Sequence, residues 1–308
     1  MQRKQLFLKL NPWLSLRTLS AEIVVVNDKI ARMSHSPAPQ FGAIIIGDEI
    51  LSGKRQDKHL PKLIELLAAR GCTLSWAEYV GDERTRLTEV LRRAVAGNDI
   101  VFSFGGIGAT PDDHTRQCTA AALDVALQPH PQAQALITQR MQEMAAEKGE
   151  AFAPQRPDNM QRLQMGVLPA GAQIIPNPFN RIPGFSCRGA RGAWLHCVPG
   201  FPVMAWPMVE WVLDTQYSHL FEQAAWLEKS IIVFGGMEAA LTPLMVALEK
   251  SHEGIKVFSL PSVDHPEYGR HIGLGVKGTP EAVGRAYPAL LAGLHTFDVK
   301  LGPELVRS

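Results

Sequence analysis

Cysteine is scarce in this sequence, and the few that occur are not grouped. They form no Cys-X-X-Cys pair and have no histidine-rich neighbourhood, which argues against a zinc site and against a disulfide framework. Long apolar runs are also missing. None approaches the ~18 residues of a membrane span, and Lys9 and Pro12 interrupt the short apolar stretches at the N-terminus, which is unlike a signal peptide. These absences predict a cytoplasmic protein with no membrane partner. The cysteines are Cys72, Cys118, Cys187 and Cys197.

An excess of charge is missing as well. The formal net charge is +1 over 308 residues, and residues 1–40 alone hold six basic and two acidic side chains, so the remainder is slightly acidic. This balance argues against a nucleic-acid-binding face. The first 40 residues also lack clear periodicity and end in the Ser- and Pro-rich "MSHSPAPQ". They are predicted to form a flexible leader over 1–40, and translation is predicted to begin at Met33.

Beyond residue 40, strand patterns alternate with helical patterns. "GAIIIG" (42–47), "TLSWAEYV" (73–80) and "DIVFSF" (99–104) predict strands, and apolar residues at helical spacing follow each one. This alternation predicts an α/β domain over 41–224 with a parallel sheet, helices on both faces and a ligand at the carboxyl ends of the strands. Residues 225–308 predict a second, small α+β domain, whose scattered acids and histidines indicate no chemistry. The stretch 153–192 gives no assignment.

The segment "FSFGGIGATPDDHT" (102–115) is the strongest candidate for a ligand site. Gly105, Gly106 and Gly108 follow a predicted strand, where the lack of side chains lets backbone N–H groups approach an anion. The segment is not a dinucleotide-binding GxGxxG loop, because Pro111 stands at the third glycine position, and no Gly-Lys-Ser/Thr follows as in a P-loop. The next residues, 110–113, predict a helix start with Thr110 as its N-cap. On that interpretation the two acids merely favour the helix dipole.

Further acids suggest a different role for the pair at 112–113. Asp48 and Glu49 follow the first predicted strand, and Asp82 follows the second, where it is predicted to cap the next helix. Because carboxyl ends of parallel strands meet at one edge, these acids and the glycine loop are expected to lie close together. Carboxylates beside an anion site would repel phosphate unless a divalent cation such as Mg²⁺ lay between them. The acids therefore suggest a metal that holds a phosphate or pyrophosphate.

The motifs "GAIIIGDEILSGKRQDKH", "YVGDE", "GGIGATPDDHT", "QMGVLPAGAQIIPNPFNRIPG" and "VPGFP", in this order, resemble the MoaB/Mog-type molybdopterin-binding domain. The form they resemble is that of the competence/damage-inducible protein A (CinA) family, and the resemblance covers about 42–220. It implies a three-layer αβα domain with a mostly parallel sheet, followed by a small KH-like α+β domain. The chain stops at Ser308, so the C-terminal nicotinamide-nucleotide deamidase domain of many CinA proteins is expected to be absent.

The resemblance also implies a phosphate-bearing ligand and a tendency to form homo-oligomers. Mog-type relatives bind molybdopterin, CinA-type relatives are associated with metal-dependent cleavage of ADP-ribose, and a related domain is linked to FAD hydrolysis. We therefore expect a pyrophosphatase that uses Mg²⁺ or Co²⁺; the alternative is a non-catalytic module that binds molybdopterin. The expected phosphate-binding residues are Gly105, Gly106, Gly108, Thr110 and Arg181, and the expected metal-binding and catalytic residues are Asp48, Asp112 and Asp113.

The sequence departs from the family pattern in three places. His59 stands where the family usually has Asn, and Asn180-Arg181-Ile182 replaces a usual Gly-Thr-Ala. Val203 replaces a usual Glu after the "PGFP" motif, a loss expected to weaken catalysis while sparing binding. Arg181 could compensate by bidentate pairing with phosphate if it faces the cleft, and it is otherwise a surface side chain.

Overall fold

The computed structural model describes residues 39–221 and 227–307. The predicted leader at 1–40, apart from its last two residues, lies outside these ranges, and so does the predicted domain boundary near Ala224. Both stay predictions.

Within the described residues the strands form three sheets. The first has six strands in the order β2-β1-β3-β8-β7-β6. Its members β2, β1, β3 and β8 run parallel, whereas β7 and β6 run antiparallel to their neighbours. The predicted mostly parallel sheet is therefore confirmed. The strands of residues 39–221 are β1 (Phe41–Ile46), β2 (Leu74–Val80), β3 (Ile100–Phe104), β4 (Leu127–Pro129), β5 (Val167–Pro169), β6 (Gln173–Ile175), β7 (Gly184–Arg188) and β8 (Trp194–Val198).

Helices cover both faces of this sheet. Successive residues of a strand point to opposite faces, so Ile45 joins one buried cluster with Leu63 and Val209, and Ile44 joins the other with Leu91 and Cys118. The result is the predicted arrangement of helix, sheet and helix layers. The helices of this part are α1 (Asp48–Leu51), α2 (His59–Ala68), α3 (Arg84–Ala96), α4 (Thr115–Leu123), α5 (Pro131–Glu147), α6 (Pro157–Leu163) and α7 (Pro202–Gln216).

Residues 227–307 contain a separate antiparallel sheet with its own buried cluster. Four strands lie in the order β10-β11-β9-β12, and two helices contribute Leu241, Leu248 and Leu290 to the cluster. The predicted α+β composition is observed, while the KH-like detail stays a prediction. The elements are β9 (Leu227–Phe234), α8 (Glu238–Ser251), β10 (Ile255–His265), β11 (Gly269–Gly278), α9 (Pro280–Leu294) and β12 (Lys300–Arg307).

Within the described residues, none of the helices combines the length and apolar character that crossing a lipid bilayer requires.

Candidate functional site

A cleft of about 440 Å³ lies at the carboxyl ends of β1, β3 and β8. Parallel strands deliver their following loops to the same edge, which is the usual ligand position in open α/β sheets. The cleft brings together Glu49 after β1, Asp82 after β2, the loop after β3 and Gly200 after β8. Six of the predicted site residues line it, namely Gly105, Gly106, Gly108, Thr110, Asp112 and Asp113.

Two predicted site residues are not among those that line the cleft. The guanidinium of Arg181 forms an ion pair with Glu143 on α5, at 2.8 Å, so its position does not support the predicted phosphate contact. The Oδ1 atom of Asp48 accepts a 3.3 Å bond from the backbone N–H of Asp82, and Asp82 Oδ2 accepts a 2.9 Å bond from the backbone N–H of Asp48. Asp48 therefore helps to hold Asp82 in place. Asp82, and not Asp48 as predicted, lines the cleft.

The predicted role of Asp82 as a helix cap is wrong. Glu83 caps α3, because its carboxylate accepts bonds from the backbone N–H groups of Thr85 and Arg86 at 2.7 and 2.8 Å. Burial raises the pKa of Asp82, and the hydrogen bond from the backbone of Asp48 opposes this increase. The nearby carboxylates of Asp48, Glu49 and Asp112 raise this pKa further. Asp82 is a site residue that was not predicted as one, although its place just after β2 was the available signal.

The predicted helix start at 110–113 is also wrong. Helix α4 begins at Thr115, and its N-cap is His114. Asp113 instead closes a turn: its Oδ2 atom accepts bonds from the N–H and the hydroxyl of Thr110, at 2.8 and 2.5 Å, while its own N–H donates to the Thr110 carbonyl. Such local bonds compete with helix formation. Because the acids precede the helix, stabilisation of its first turn does not explain them.

The glycine loop depends on the absence of side chains. Gly105 and Gly106 have φ values of +108° and +67°, a region that residues with a Cβ rarely adopt. A Cβ on Gly106 would lie 2.3 Å from Thr115 Oγ1, and that hydroxyl donates a 3.0 Å bond to the Gly105 carbonyl. The loop backbone is therefore fixed in a shape that only glycine permits.

Gly106→Ala is expected to lower affinity for a phosphate ligand at least about tenfold and to destabilise the fold by about 1–3 kcal/mol, because the loop must move away from Thr115. Gly171→Ala is the matched control, since Gly171 also has positive φ, at +81°, but no heavy atom lies within 4 Å of the position that its Cβ would take. Titration calorimetry and thermal melting measure the two effects. Equal behaviour of both variants in ligand binding would contradict this role of the loop.

A buried arginine supports the glycine loop through a hydrogen bond to the loop backbone. Arg116 on α4 is 6% exposed, and its guanidinium donates to the carbonyl of Gly108 at 2.9 Å and to the carbonyl of Gln164. Among the described residues its Nε atom has no hydrogen-bond partner. Burial lowers the pKa of this guanidinium, and the nearby Asp113 carboxylate opposes that decrease. Arg116 thus ties the glycine loop to the segment after α6, and it places a positive charge behind the loop.

The acidic side chains of the cleft are of the kind that binds Mg²⁺, but they do not form a complete set of metal ligands. Asp82, Asp112 and Asp113 offer hard oxygen ligands on the same cleft as the glycine loop. Over the described ranges, however, no group of three or more His, Cys, Asp or Glu side chains is placed to hold a metal ion. The residues fit a cation that takes one or two carboxylates from the protein and its remaining ligands from phosphate and water.

The residues that differ from the family pattern at 180–182 and at 203 lie in different places relative to the cleft. Asn180 and Ile182 line the cleft, and Asn180 Oδ1 accepts a 2.8 Å bond from the side-chain amide of Asn177. Val203 is 54% exposed in the first turn of α7 and is not among the lining residues. The segment that the sequence left unassigned therefore supplies part of the cleft wall.

Comparisons with known proteins show what this chain is similar to. A family described as probable molybdopterin binding domain matches residues 42–219. A CinA-like protein of Anaeromyxobacter dehalogenans strain 2CP-1 is 32% identical over 187 residues, which make up 60% of this chain and 43% of that protein. The chain thus matches less than half the length of this relative.

Two solved structures illustrate the likeness. The CinA protein with unknown function from Thermoplasma acidophilum is 24% identical, with a TM-score of 0.48, and the match covers 57% of this chain and 97% of that one. The molybdopterin biosynthesis enzyme MoaB of Thermus thermophilus is 22% identical, with a TM-score of 0.37, and the match covers 59% of this chain and 93% of that one.

Proposed function

The chain belongs to the family of probable molybdopterin binding domains, as its motifs predicted, and from this premise we propose that its cleft binds a small molecule through phosphate groups. One observation supports this most strongly. Gly105 and Gly106 hold a left-handed backbone at the end of a parallel strand and line the cleft, which lets backbone N–H groups approach an anion closely. The buried charge of Arg116 behind the loop adds to the attraction.

The finer proposal is metal-dependent hydrolysis of a nucleotide pyrophosphate such as ADP-ribose or FAD. Asp82, Asp112 and Asp113 would repel a bare pyrophosphate, so a divalent cation between them and the ligand gives these acids a role. Mg²⁺ or Co²⁺ held there would neutralise charge on the pyrophosphate. The protein's own contribution is to fix the phosphates on the glycine loop and to orient water by carboxylates. Addition of one water molecule across the P–O–P bond of ADP-ribose would yield AMP and ribose 5-phosphate.

The second candidate is a non-catalytic module that binds molybdopterin in cofactor handling. It is favoured by the engagement of one Asp113 oxygen with Thr110, which leaves that oxygen less available to a metal ion.

A ligand screen separates the two candidates. Thermal melting is measured with ADP-ribose, FAD, NAD and molybdopterin, each with and without Mg²⁺ or Co²⁺. A ligand at 100 times its Kd is expected to add ~2.7 kcal/mol to the free energy of unfolding. Stabilisation by ADP-ribose or FAD that requires metal, with release of AMP, supports the hydrolase. Metal-independent stabilisation by molybdopterin alone supports the binding module, and no stabilisation by any ligand refutes both.

The proposal includes a cytoplasmic location and a homo-oligomeric state, with no nucleic-acid or membrane partner. The near-neutral charge of +1 supports the lack of a nucleic-acid partner. Light scattering on the purified chain tests the oligomeric state, and a monomer at all concentrations would contradict it.

A further inference from the structure

Arg181 stands between two residues that line the cleft but is not itself among the lining residues. Asn180 and Ile182 contribute to the lining, whereas the Arg181 guanidinium pairs through Nε with Glu143 on α5, at 2.8 Å. We propose that Arg181 is a positioning residue, which fixes one wall of the cleft through this ion pair. The inference rests on the proposed binding of a phosphate ligand and adds a residue that controls how tightly the ligand is held.

Residues 177–182, called here the wall loop, form this part of the cleft. The buried side chain of Asn177 organises the loop, because its amide donates to Asn180 Oδ1 at 2.8 Å and to the Ile182 carbonyl at 2.9 Å. Its own Oδ1 atom accepts a 3.0 Å bond from the Phe179 N–H. These bonds lie within the wall loop, so they set its shape, and its placement against α5 depends on the ion pair.

The backbone of Arg181 is left-handed, with a φ of +62°. Residues with a Cβ adopt this conformation at a cost in free energy. Two contacts offset the cost: the Arg181 N–H donates a 3.0 Å bond to the Asn177 carbonyl, and the guanidinium pairs with Glu143. With this backbone the Arg181 side chain reaches α5 while its two neighbours in sequence line the cleft.

Glu143 offers Arg181 a partner that is already held in place. Its Oε1 atom accepts a 3.2 Å bond from the side-chain amide of Gln139, and its Oε2 atom lies 3.7 Å from the Arg140 guanidinium, both one turn earlier on α5. The Glu143 side chain is 34% exposed, so water screens the pair only in part. A carboxylate held by its own helix loses little conformational freedom on pairing, which makes this pair stronger than one between two mobile surface side chains.

The helices α5 and α6 also hold the glycine loop. The Gln134 amide on α5 donates a 2.8 Å bond to the carbonyl of Leu163 at the end of α6, and the Gln161 amide on α6 donates a 3.0 Å bond to the carbonyl of Ala109. Ala109 follows the last glycine of the loop and lines the cleft. The two helices therefore connect the glycine loop to the wall loop, and the ion pair is the contact that joins the wall loop to them.

Glu143→Gln tests the wall loop without any ligand. Glutamine keeps the size of the side chain and removes its charge, so the backbone amides of residues 179–182 are expected to exchange hydrogen severalfold faster. Exchange is measured by mass spectrometry on the ligand-free chain. Glu78→Gln is the matched control, since Glu78 pairs with Arg93 at 2.7 Å in a similarly exposed ion pair but does not line the cleft. Unchanged exchange at 179–182 in Glu143→Gln overturns the inference whether or not a ligand binds.

Arg181→Gly and Arg181→Lys separate the ion pair from the backbone conformation. Glycine removes the side chain but suits the left-handed backbone, so this variant is expected to melt no lower than wild type. It is nevertheless expected to bind ADP-ribose and pyrophosphate, each with Mg²⁺, about two- to fivefold more weakly, which is the range of a partly exposed ion pair. Lysine keeps the positive charge and is expected to bind more nearly as wild type does. Titration calorimetry and thermal melting measure these effects.

The outcomes distinguish this inference from the proposed function. Failure of wild type to bind either probe refutes phosphate binding itself, and hydrogen exchange then decides the role of the ion pair alone. Wild-type affinity in Arg181→Gly overturns the positioning role while leaving phosphate binding intact. A loss of affinity that follows a lower melting temperature in both Arg181 variants also overturns it, because the side chain would then only stabilise the fold.

Discussion

His196→Ala is expected to destabilise the chain by on the order of 4 kcal/mol at pH 7. His196 lies in β8 with no exposed surface. Its Nδ1 atom lies 2.8 Å from the Ser186 hydroxyl, and its Nε2 atom lies 2.7 Å from the Tyr217 hydroxyl. Alanine would leave a cavity and deprive both hydroxyls of their partner. Denaturant unfolding measures the loss, and a loss under about 1 kcal/mol would mean that the three side chains do not act as a network.

The same residue is expected to make stability sensitive to acid. Burial lowers the pKa of His196 to about 3, whereas an unfolded histidine titrates near 6.5. Below pH 6.5 the unfolded chain therefore takes up a proton that the folded chain excludes until about pH 3. The stabilisation is complete above pH 6.5 and is lost as the pH falls, at up to about 1.4 kcal/mol per pH unit. His59 acts in the same direction, since its pKa is also lowered by burial.

His196→Gln isolates this contribution, since glutamine is neutral at every pH. Between pH 7 and pH 5 the wild type is expected to lose about 2 kcal/mol more than the variant. His219→Gln serves as a control because His219 is exposed after α7, and this variant is expected to follow the wild type. Parallel curves for wild type and His196→Gln would contradict a neutral buried imidazole.

The strands and helices around the sheet could be predicted because their local patterns agree with their burial. All six residues of β1 are buried, and the strands predicted at 42–47, 73–80 and 99–104 coincide closely with β1, β2 and β3. Residues 153–192 could not be assigned, because β5 and β6 have three residues each, too few to show a periodic pattern, and β5 pairs with β4, which precedes α5. The sequence does not predict the strand β12, because Gly302 and Pro303 interrupt its pattern; proline is tolerated at such a sheet edge.

Only part of the site could be predicted, because only part of it follows from a local sequence pattern. A glycine loop is a local motif, so Gly105, Gly106 and Gly108 were recognised and do line the cleft. The roles of the surrounding charges depend on contacts that no local pattern contains. Arg116 reaches Gln164 across 48 positions, and Asp48 pairs with Asp82 across 34 positions. Arg181 was assigned to the cleft from its place in a motif, and its actual partner, Glu143, lies on a helix far away in sequence.

Asp112→Asn and Asp113→Asn are expected to separate metal binding from loop structure. If the proposed hydrolase activity exists, Asp112→Asn should reduce Mg²⁺- or Co²⁺-dependent cleavage of ADP-ribose or FAD on the order of 100-fold. Its metal-free melting temperature should stay close to that of wild type, because less repulsion on Asp82 opposes the loss of the hydrogen bonds from Thr110 and the backbone that lower the pKa of Asp112. Asparagine keeps the shape of the side chain and removes only the charge.

Asp113→Asn is expected to lower both activity and stability. The Asp113 carboxylate accepts the two bonds from Thr110 that close the turn at 110–113, and an amide oxygen accepts them more weakly than a carboxylate does. Metal-free melting and metal-dependent hydrolysis are measured for wild type and both variants. If wild type cleaves neither substrate yet binds molybdopterin without metal, the hydrolase proposal is wrong and the binding module replaces it. If wild type is active and Asp112→Asn hydrolyses the substrate at the same rate, Asp112 does not hold the metal. The close approach of Asp48, Asp82 and Asp112 would then have to be explained in another way.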